Sequence, residues 1–394
     1  MESKNKRVAF LINGLPMGGA ERVISTIANH LSKRGIDVKL ITLKDSISAY
    51  RLEKAVEVVS ANCNLNGGII NKLSNVLKVH SFYRKYISLT RPDVIIAFLI
   101  QPSFLAIIEK MLGLKYPLIV SERSDPFTRK KSLQRICNIL YAHANCIVCQ
   151  GDRVKKYYRQ IGAKYSCEVI PNPINDECVA DYVAENREKR IIAVGRLSSE
   201  KNHQLLIEGF ATIAQRFPKH RVEIYGKGPL QEKLQKRIDE LGMSDKIFLM
   251  GTRSNLMKEL HDSCLFVMPS NNEGFPNALI EAMASGIPVI CTDFPTGIAR
   301  EVIQDGENGF VIPVMDKDAL IDRMIRILSQ PELQKLFGKN ARMIRDQFNI
   351  DKITNKWETV FDIAINLNTG NKHKGNNENL GRPPLKSKIE KRIG

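Results

Sequence analysis

LFVMPSNNEGFPNALIEAMASGIPVI, Leu265 to Ile290, reads as an apolar strand, LFVMPS, then a loop, NNEGF, then a helix, PNALIEAMASG, that Pro276 opens and Gly286 closes. The segment is mostly apolar, yet it keeps two carboxylates, Glu273 and Glu281, separated by seven residues. This reading puts Glu273 in the loop and Glu281 in the helix, five residues past Pro276 and so about 7.5 Å along its axis. Flanked by Ile280, Ala282 and Met283, Glu281 is the deeper acid; the unpaired amides of Gly274, Phe275 and Asn277 lie near the helix start between the two. A lone glutamate on a helix is ordinarily a surface residue. Its meaning therefore depends on the units around it.

Working outward, the same alternation precedes it: RIIAVG, a helix through HQLLIEGFATIAQRFP, RVEIYG, a helix through PLQEKLQKRIDELG, KIFLMG, and NLMKELHDS. The first half repeats the theme with RVAFLI, AERVISTIANHLSKRG, VKLITL, DVIIAFLI, LIVSE and CIVCQ. Short apolar strands alternating with helices predict an α/β chain with parallel, doubly wound sheets. Around PNPINDECVADYVAENREKR, Pro171 and Pro173 break the pattern and the composition turns polar, which sets a boundary near residue 180. The expected organisation is two Rossmann-like domains, 1–180 and 181–350, a helix over 351–366 that carries the one tryptophan, Trp357, and packs back toward the first domain, and a basic, disordered tail over 367–394. Open sheets of this kind bind ligands at their carboxyl ends, so the site is expected in a cleft between the halves.

The net charge of +17 is uneven. Residues 1–180 hold 27 Lys and Arg against 14 Asp and Glu, whereas residues 181–370 hold 25 against 26. A cationic half beside a near-neutral one fits a polyanion or an anionic membrane surface on one side only. Nucleic acid is the competing partner, but no helix-turn-helix, zinc-finger or aromatic RNA-binding signature supports it. The apolar run after MESKNK meets glycine too soon for a signal peptide or a membrane span, which predicts a cytoplasmic protein. The eight cysteines form no regular framework; the Cys146-x-x-Cys149 pair sits in a strand, where residues three apart face opposite ways.

Three more loops at strand ends carry candidate chemistry. In NGLPMGGAER, Asn13 to Arg22, Gly18 and Gly19 precede a helix whose amides and dipole favour an anion, although the spacing is neither G-x-G-x-x-G nor a P-loop and a bare tight turn is the alternative. GRLSSEKN places Arg196 and Lys201 five apart beyond a strand, two cations suited to a diphosphate or else part of a solvated loop. YGKGPL adds Gly226 and Gly228 in a further glycine-rich turn. Asp316 and Asp318, the one D-x-D, read as a helix cap and not as a metal site.

Taken in order from about residue 7 to residue 350, MGGAER, PNPI, GRLSSEK, YGKGPL and the E-x7-E of Glu273 and Glu281 resemble the retaining glycosyltransferases of family 4, which have the GT-B fold. The resemblance implies transfer of a sugar from a nucleotide donor with retention at the anomeric carbon and without a metal or other cofactor. It implies that Arg196 and Lys201 bind the donor diphosphate, Glu281 the ribose and Glu273 the donor sugar, with Gly274, Phe275 and Pro276 along the transferred group. Gly18 and Gly19 would close over the diphosphate, Gly226 and Gly228 would join the donor site, and the turn from Gly251 to Leu256 would meet the base. The sequence departs from the family where many relatives carry a histidine near the acceptor: here it reads SERSDP, leaving Glu122, Arg123 or Asp125 for acceptor contact.

IINKLSNVLKVHSFYRKYISLTRPD reads as a helix with Lys78 and Lys85, seven apart, on one face. A cationic, partly apolar surface suits a lipid diphosphate saccharide in an anionic membrane; a solvated helix face is the alternative. SERSDP with MGGAER further resembles the branch that builds bacterial surface glycans, including the N-acetylgalactosaminyltransferases acting on undecaprenyl diphosphate oligosaccharides. The expectation is a UDP-sugar donor, N-acetylhexosamine first and galactose or glucose next, a lipid-linked or polysaccharide acceptor, and a peripheral enzyme on the inner face of the cell membrane. A sugar-nucleotide-binding protein without turnover, and a basic nucleic-acid-binding protein, are the competing readings.

Overall fold

The computed structural model describes residues 6–45, 47–63, 69–161, 166–175, 179–180, 183–253 and 256–369. The first half holds seven strands: β1 (Arg7–Ile12), β2 (Asp37–Thr42), β3 (Glu57–Ser60), β4 (Val94–Phe98), β5 (Leu118–Ser121), β6 (Cys146–Cys149) and β7 (Ser166–Val169). They form one parallel sheet in the order β3-β2-β1-β4-β5-β6-β7. Its crossover helices are α1 (Gly19–Lys33), α2 (Ile69–Thr90), α3 (Ile100–Met111), α4 (Lys131–Tyr141) and α5 (Asp152–Ile161). Because helices cover both faces, the central strands are apolar throughout instead of alternating; every residue of β4, β5 and β6 is buried. The buried edge of the apolar pattern is what made them legible, whereas β3, mostly half-exposed at the sheet edge, carries no comparable run.

A second parallel sheet follows, in the order β10-β9-β8-β11-β12-β13. Its strands are β8 (Glu188–Val194), β9 (Arg221–Tyr225), β10 (Ile247–Gly251), β11 (Ser263–Met268), β12 (Val289–Thr292) and β13 (Phe310–Ile312). The helices are α6 (His203–Ile213), α7 (Gln231–Glu240), α8 (Leu256–Glu259), α9 (Asn277–Ala284), α10 (Ile298–Val302), α11 (Lys317–Leu328), α12 (Pro331–Ala341), α13 (Ile344–Gln347) and α14 (Ile350–Thr369). Strand order reverses beside β1 in one sheet and beside β8 in the other, which opens a crevice at the carboxyl ends of both. Asp316 caps α11, its carboxylate accepting the Ala319 amide at 2.9 Å. Cys146 and Cys149 of β6 enter different cores on opposite faces of the sheet. The tail expected to be disordered lies, beyond residue 369, outside the described residues.

The chain crosses between sheets twice, before β8 and before α14, and the two crossings bond to each other through the Ile174 amide and Phe348 carbonyl at 2.9 Å. After the second crossing α14 lies against α1 and β4, with Ile353, Trp357, Val360 and Phe361 in the core of the first domain. Trp357 is fully buried and stacks on Phe98 of β4 at 6.0 Å between ring centroids. Lys6 to Asp362 and Arg34 to Asp351 and Glu358 tie the outer side of the same helix. Truncating Trp357 to Ala removes the largest side chain of this joint and leaves a cavity, so unfolding stability is expected to fall by about 3–5 kcal/mol. Urea denaturation measures it; an unchanged midpoint would show that α14 does not anchor the fold.

Candidate active site

Two glycine-rich or charged loops leave the switch-point strands and face each other. From β1 the chain runs through Gly14 to Gly19 into α1, and from β8 it runs through Gly195 to Lys201 into α6; β11 contributes the loop to Pro276 and then α9. Between them lies a cleft of about 730 Å³, within the range of ligand sites. Gly18, Gly19, Lys201, Leu256, Glu273, Gly274, Phe275, Pro276 and Glu281 all line it. The sequence expectation had these residues spread over 264 positions of chain; the switch-point geometry brings them together.

Each glutamate is held by a cation. Glu273, 8% exposed, accepts from Lys201 Nζ at 2.5 Å and from Ser270 Oγ at 2.9 Å, and its carbonyl accepts from Thr296 Oγ1 at 3.1 Å. Glu281 pairs with Arg22, which comes from α1 across the cleft. Burial raises the pKa of Glu281, and the Arg22 guanidinium works against that rise. The N-terminus of α1 opens on the cleft with no side-chain cap, and the Tyr50 hydroxyl clamps its glycine loop by bonding the Gly18 amide and carbonyl, both at 2.8 Å. Near α9 the amides are less free than the sequence suggested: the Asn277 amide donates to the Phe275 carbonyl at 3.0 Å.

The domains meet at the cleft's inner end. Asn172, 4% exposed, donates to Asn277 Oδ1 at 2.8 Å while its own Oδ1 accepts from Arg123 Nη1 at 2.5 Å and Gln150 Nε2 at 2.9 Å. Gly274 packs against the main chain of the other domain, where a Cβ would lie 2.5 Å from the Arg123 carbonyl oxygen. Lower down, Glu301 of α10 accepts the Asp152 amide at the start of α5 at 3.0 Å.

Several expected site residues stand elsewhere. Arg196 is exposed on its loop and does not line the cleft. Gly226, at φ +150°, and Gly228 do not line it either; a Cβ on them would collide with the Gly195 and Leu197 carbonyl oxygens, so these glycines let the β9 turn support the 195–197 backbone. Glu122 is corrected most clearly. It is 2% exposed and accepts from Arg129 Nη2 at 2.9 Å, Tyr158 Oη at 2.7 Å and Ser124 Oγ at 2.8 Å, a closed network inside the first domain. Asp125 is buried away from the cleft lining and accepts the Phe127 amide at 2.8 Å.

Of the SERSDP residues, Arg123 reaches the cleft. Its guanidinium lies 4.5 Å over Phe98 and 5.7 Å from Trp357, and burial pushes its pKa down to about 9. Its Nη2 is buried without a hydrogen-bond partner. Lys78 and Lys85 are exposed on α2, outside the cleft, with Leu77 exposed beside them. Arg22, Tyr50, Gln150 and Asn172 were not assigned from sequence. Arg22 and Asn172 sat inside the motifs MGGAER and PNPI, so motif membership was the available signal.

Two wound parallel sheets with a ligand cleft at their facing carboxyl ends define a GT-B protein. Residues 17–177 match the family model described as Glycosyltransferase Family 4, and residues 176–343 match that described as Glycosyl transferases group 1. The N-acetylgalactosamine-N,N'-diacetylbacillosaminyl-diphospho-undecaprenol 4-alpha-N-acetylgalactosaminyltransferase of Campylobacter jejuni is 30% identical over 366 residues, covering 88% of this chain and 97% of that one. Among solved structures, sucrose-phosphate synthase from Thermosynechococcus elongatus superposes with a TM-score of 0.78 at 16% identity over 91% of this chain and 98% of its own. Anabaena HepE, in complex with UDP and glucose, superposes at 0.77 and 19% identity over 91% and 100%. The chain therefore belongs to glycosyltransferase family 4. Among the described residues no helix is long and apolar enough to cross a membrane.

Proposed function

We propose that the protein transfers a sugar, N-acetylhexosamine such as GalNAc before galactose or glucose, from a UDP-sugar to a lipid-linked or polysaccharide acceptor with retention of anomeric configuration. One observation carries the reading: Glu273 and Glu281 line one cleft, and the N-terminus of α1 and Lys201 line it with them. Carboxylates suit the hydroxyls of a sugar and a ribose, while cations and amides suit the diphosphate that joins them. In this reading Glu273 holds the donor sugar, Glu281 the ribose, and Thr252, Arg253 and Leu256 border the base. Arg196, exposed on the loop that carries Lys201 and outside the cleft lining, has no contact role in this reading. The name of the Campylobacter relative supports the N-acetylgalactosamine preference, and the HepE complex supports UDP.

The same reading assigns the proton. The bond between the anomeric carbon and the diphosphate oxygen breaks as the acceptor oxygen bonds to that carbon, and the acceptor's proton needs a base. Glu122 is committed to Arg129 and Tyr158, Asp125 lies off the cleft, and Arg123 is a cation. In this reading Glu273 and Glu281 are taken by sugar and ribose hydroxyls, and the departing diphosphate oxygen accepts the proton on the acceptor's side of the sugar, consistent with retention. Fixed cations and amides neutralise the leaving group as its charge grows, so no metal or other cofactor is required. Lys78, Lys85 and Leu77 on α2, in a first half with an excess of cations, would hold the enzyme at the inner face of an anionic membrane where a lipid diphosphate saccharide resides.

The test is a screen of UDP-sugars against undecaprenyl diphosphate oligosaccharides, read by mass spectrometry, with NMR of the product and a parallel arm in EDTA. Transfer with a retained anomeric centre, undiminished by EDTA, is expected. Inversion would remove the retaining assignment, loss in EDTA the metal-free one. UDP binding without transfer or slow donor hydrolysis would leave a non-catalytic sugar-nucleotide-binding protein, and tight, salt-dependent RNA binding insensitive to UDP would replace the reading altogether.

A further inference from the structure

The cleft's two glutamates differ in where their cations come from. Lys201 and Glu273 belong to one domain, whereas Arg22 and Glu281 sit on opposite walls, 259 residues apart. Arg22 lies one turn into α1, its amide bonded to the Gly18 carbonyl at 3.0 Å, so it rises from the helix end that faces the cleft. The two helix starts converge there: a Cβ on Gly19 would lie 3.2 Å from the Asn277 side-chain amide at the head of α9. The Arg22 and Glu281 side chains are 27% and 13% exposed, open enough for exchange with an entering ligand.

Charge balance makes that exchange directional. Each carboxylate of the cleft is paired with one cation, Glu273 with Lys201 and Glu281 with Arg22, while Arg51, Arg123 and Arg253 add positive charge to the same lining. A ribose brings neutral hydroxyls that satisfy Glu281 as hydrogen-bond donors but cannot match its charge, while a nucleoside diphosphate brings two or more negative charges to the same space. Removing one partner from a buried ion pair is costly unless a new counter-charge replaces it. An arginine fork fits phosphate oxygens as well as carboxylate oxygens, so the guanidinium can pass from one to the other within its own reach.

We propose that Arg22 is a ligand of the donor diphosphate, held in reserve on Glu281 and handed over when the ribose hydroxyls take that carboxylate. The idea rests on the donor reading above and adds to it a first-domain cation that engages fully only for a ligand carrying both ribose and diphosphate. Nucleoside alone, or sugar alone, leaves Arg22 on Glu281. The pair is thus a positioning device: it holds the two walls together before the donor arrives and lends its cation afterwards.

Calorimetry with UDP and with uridine tests it on the full chain, comparing wild type, Arg22→Gln and Arg22→Lys. Arg22→Gln is expected to weaken UDP about tenfold, the loss of one charge-assisted contact, while uridine binds as well as before or better because Glu281 is no longer occupied. Arg22→Lys, with charge but no fork, is expected to recover part of the UDP affinity. UDP tightening in step with uridine would make Arg22 a latch only and overturn the proposal; equal weakening of both ligands, in either variant, would reduce it to a structural residue and overturn it as well. A wild-type chain that binds none of UDP, GDP and ADP would remove the donor reading itself, and the proposal with it.

Discussion

Lys201→Ala is expected to lower kcat for sugar transfer by about 10²–10³, the loss reported for one preorganised charge-stabilising group. The amine lines the cleft and reaches Glu273 at 2.5 Å, so it can neutralise charge that grows on the departing diphosphate without any reorganisation. Its removal also strands Glu273, a carboxylate only 8% exposed whose remaining side-chain donor is Ser270. Glu273→Gln is expected to cost as much, since it removes the charge and turns one of the two oxygens proposed to accept from the donor-sugar hydroxyls into a donor. Because the two side chains act as a bonded unit, the double variant should lose much less than the two single losses combined. Steady-state kinetics with a melting curve for each variant measures this. Transfer at the wild-type rate in either single variant would remove both residues from the active site.

Gly274→Ala is expected to suppress transfer by about a hundredfold while leaving each domain folded. The backbone of Gly274 is not in the left-handed region, so alanine is tolerated locally; the obstacle is the opposite domain. A methyl group there would stand 2.5 Å from the Arg123 carbonyl oxygen and 3.2 Å from Ser124 Cα, both backbone atoms that cannot rotate away. The walls must separate by roughly an ångström, and misplacement on that scale costs about 10² in rate. Nucleotide contacts of the second domain alone would persist, so UDP affinity should change far less than kcat. A variant with normal kcat would show that the contact between Gly274 and Arg123 is not kept in the reacting state.

The parts of this fold that sequence reading reached are those encoded locally. Continuous apolar runs such as VIIAF of β4 marked buried parallel strands because helices cover them on both sides. The short edge strand β3, with no fully buried residue, left no such mark. Within the site, Glu273 in its loop, Glu281 in its helix, Lys201 and the Gly18–Gly19 turn were legible for the same reason. Each occupies a strand end or helix start recognisable from a few neighbouring residues.

What tertiary structure decided is which of these groups touch. Glu122 resembled an acceptor contact until folding closed Arg129, Tyr158 and Ser124 around it. Gly226 and Gly228 were expected to join the donor site but serve the close approach of one backbone to another. Asn172, in a proline-bound motif, became a junction with Asn277, 105 residues away, and Arg22 met Glu281 across the cleft. By itself the sequence determined the two wound sheets, the strand-end loops and the residue types placed on them, because hydrophobic periodicity and turn chemistry act over a few residues. The pairing of charges across the cleft, and with it which acids and cations are available to a ligand, was decided only when two independently wound domains came together, since no local pattern records a contact between them.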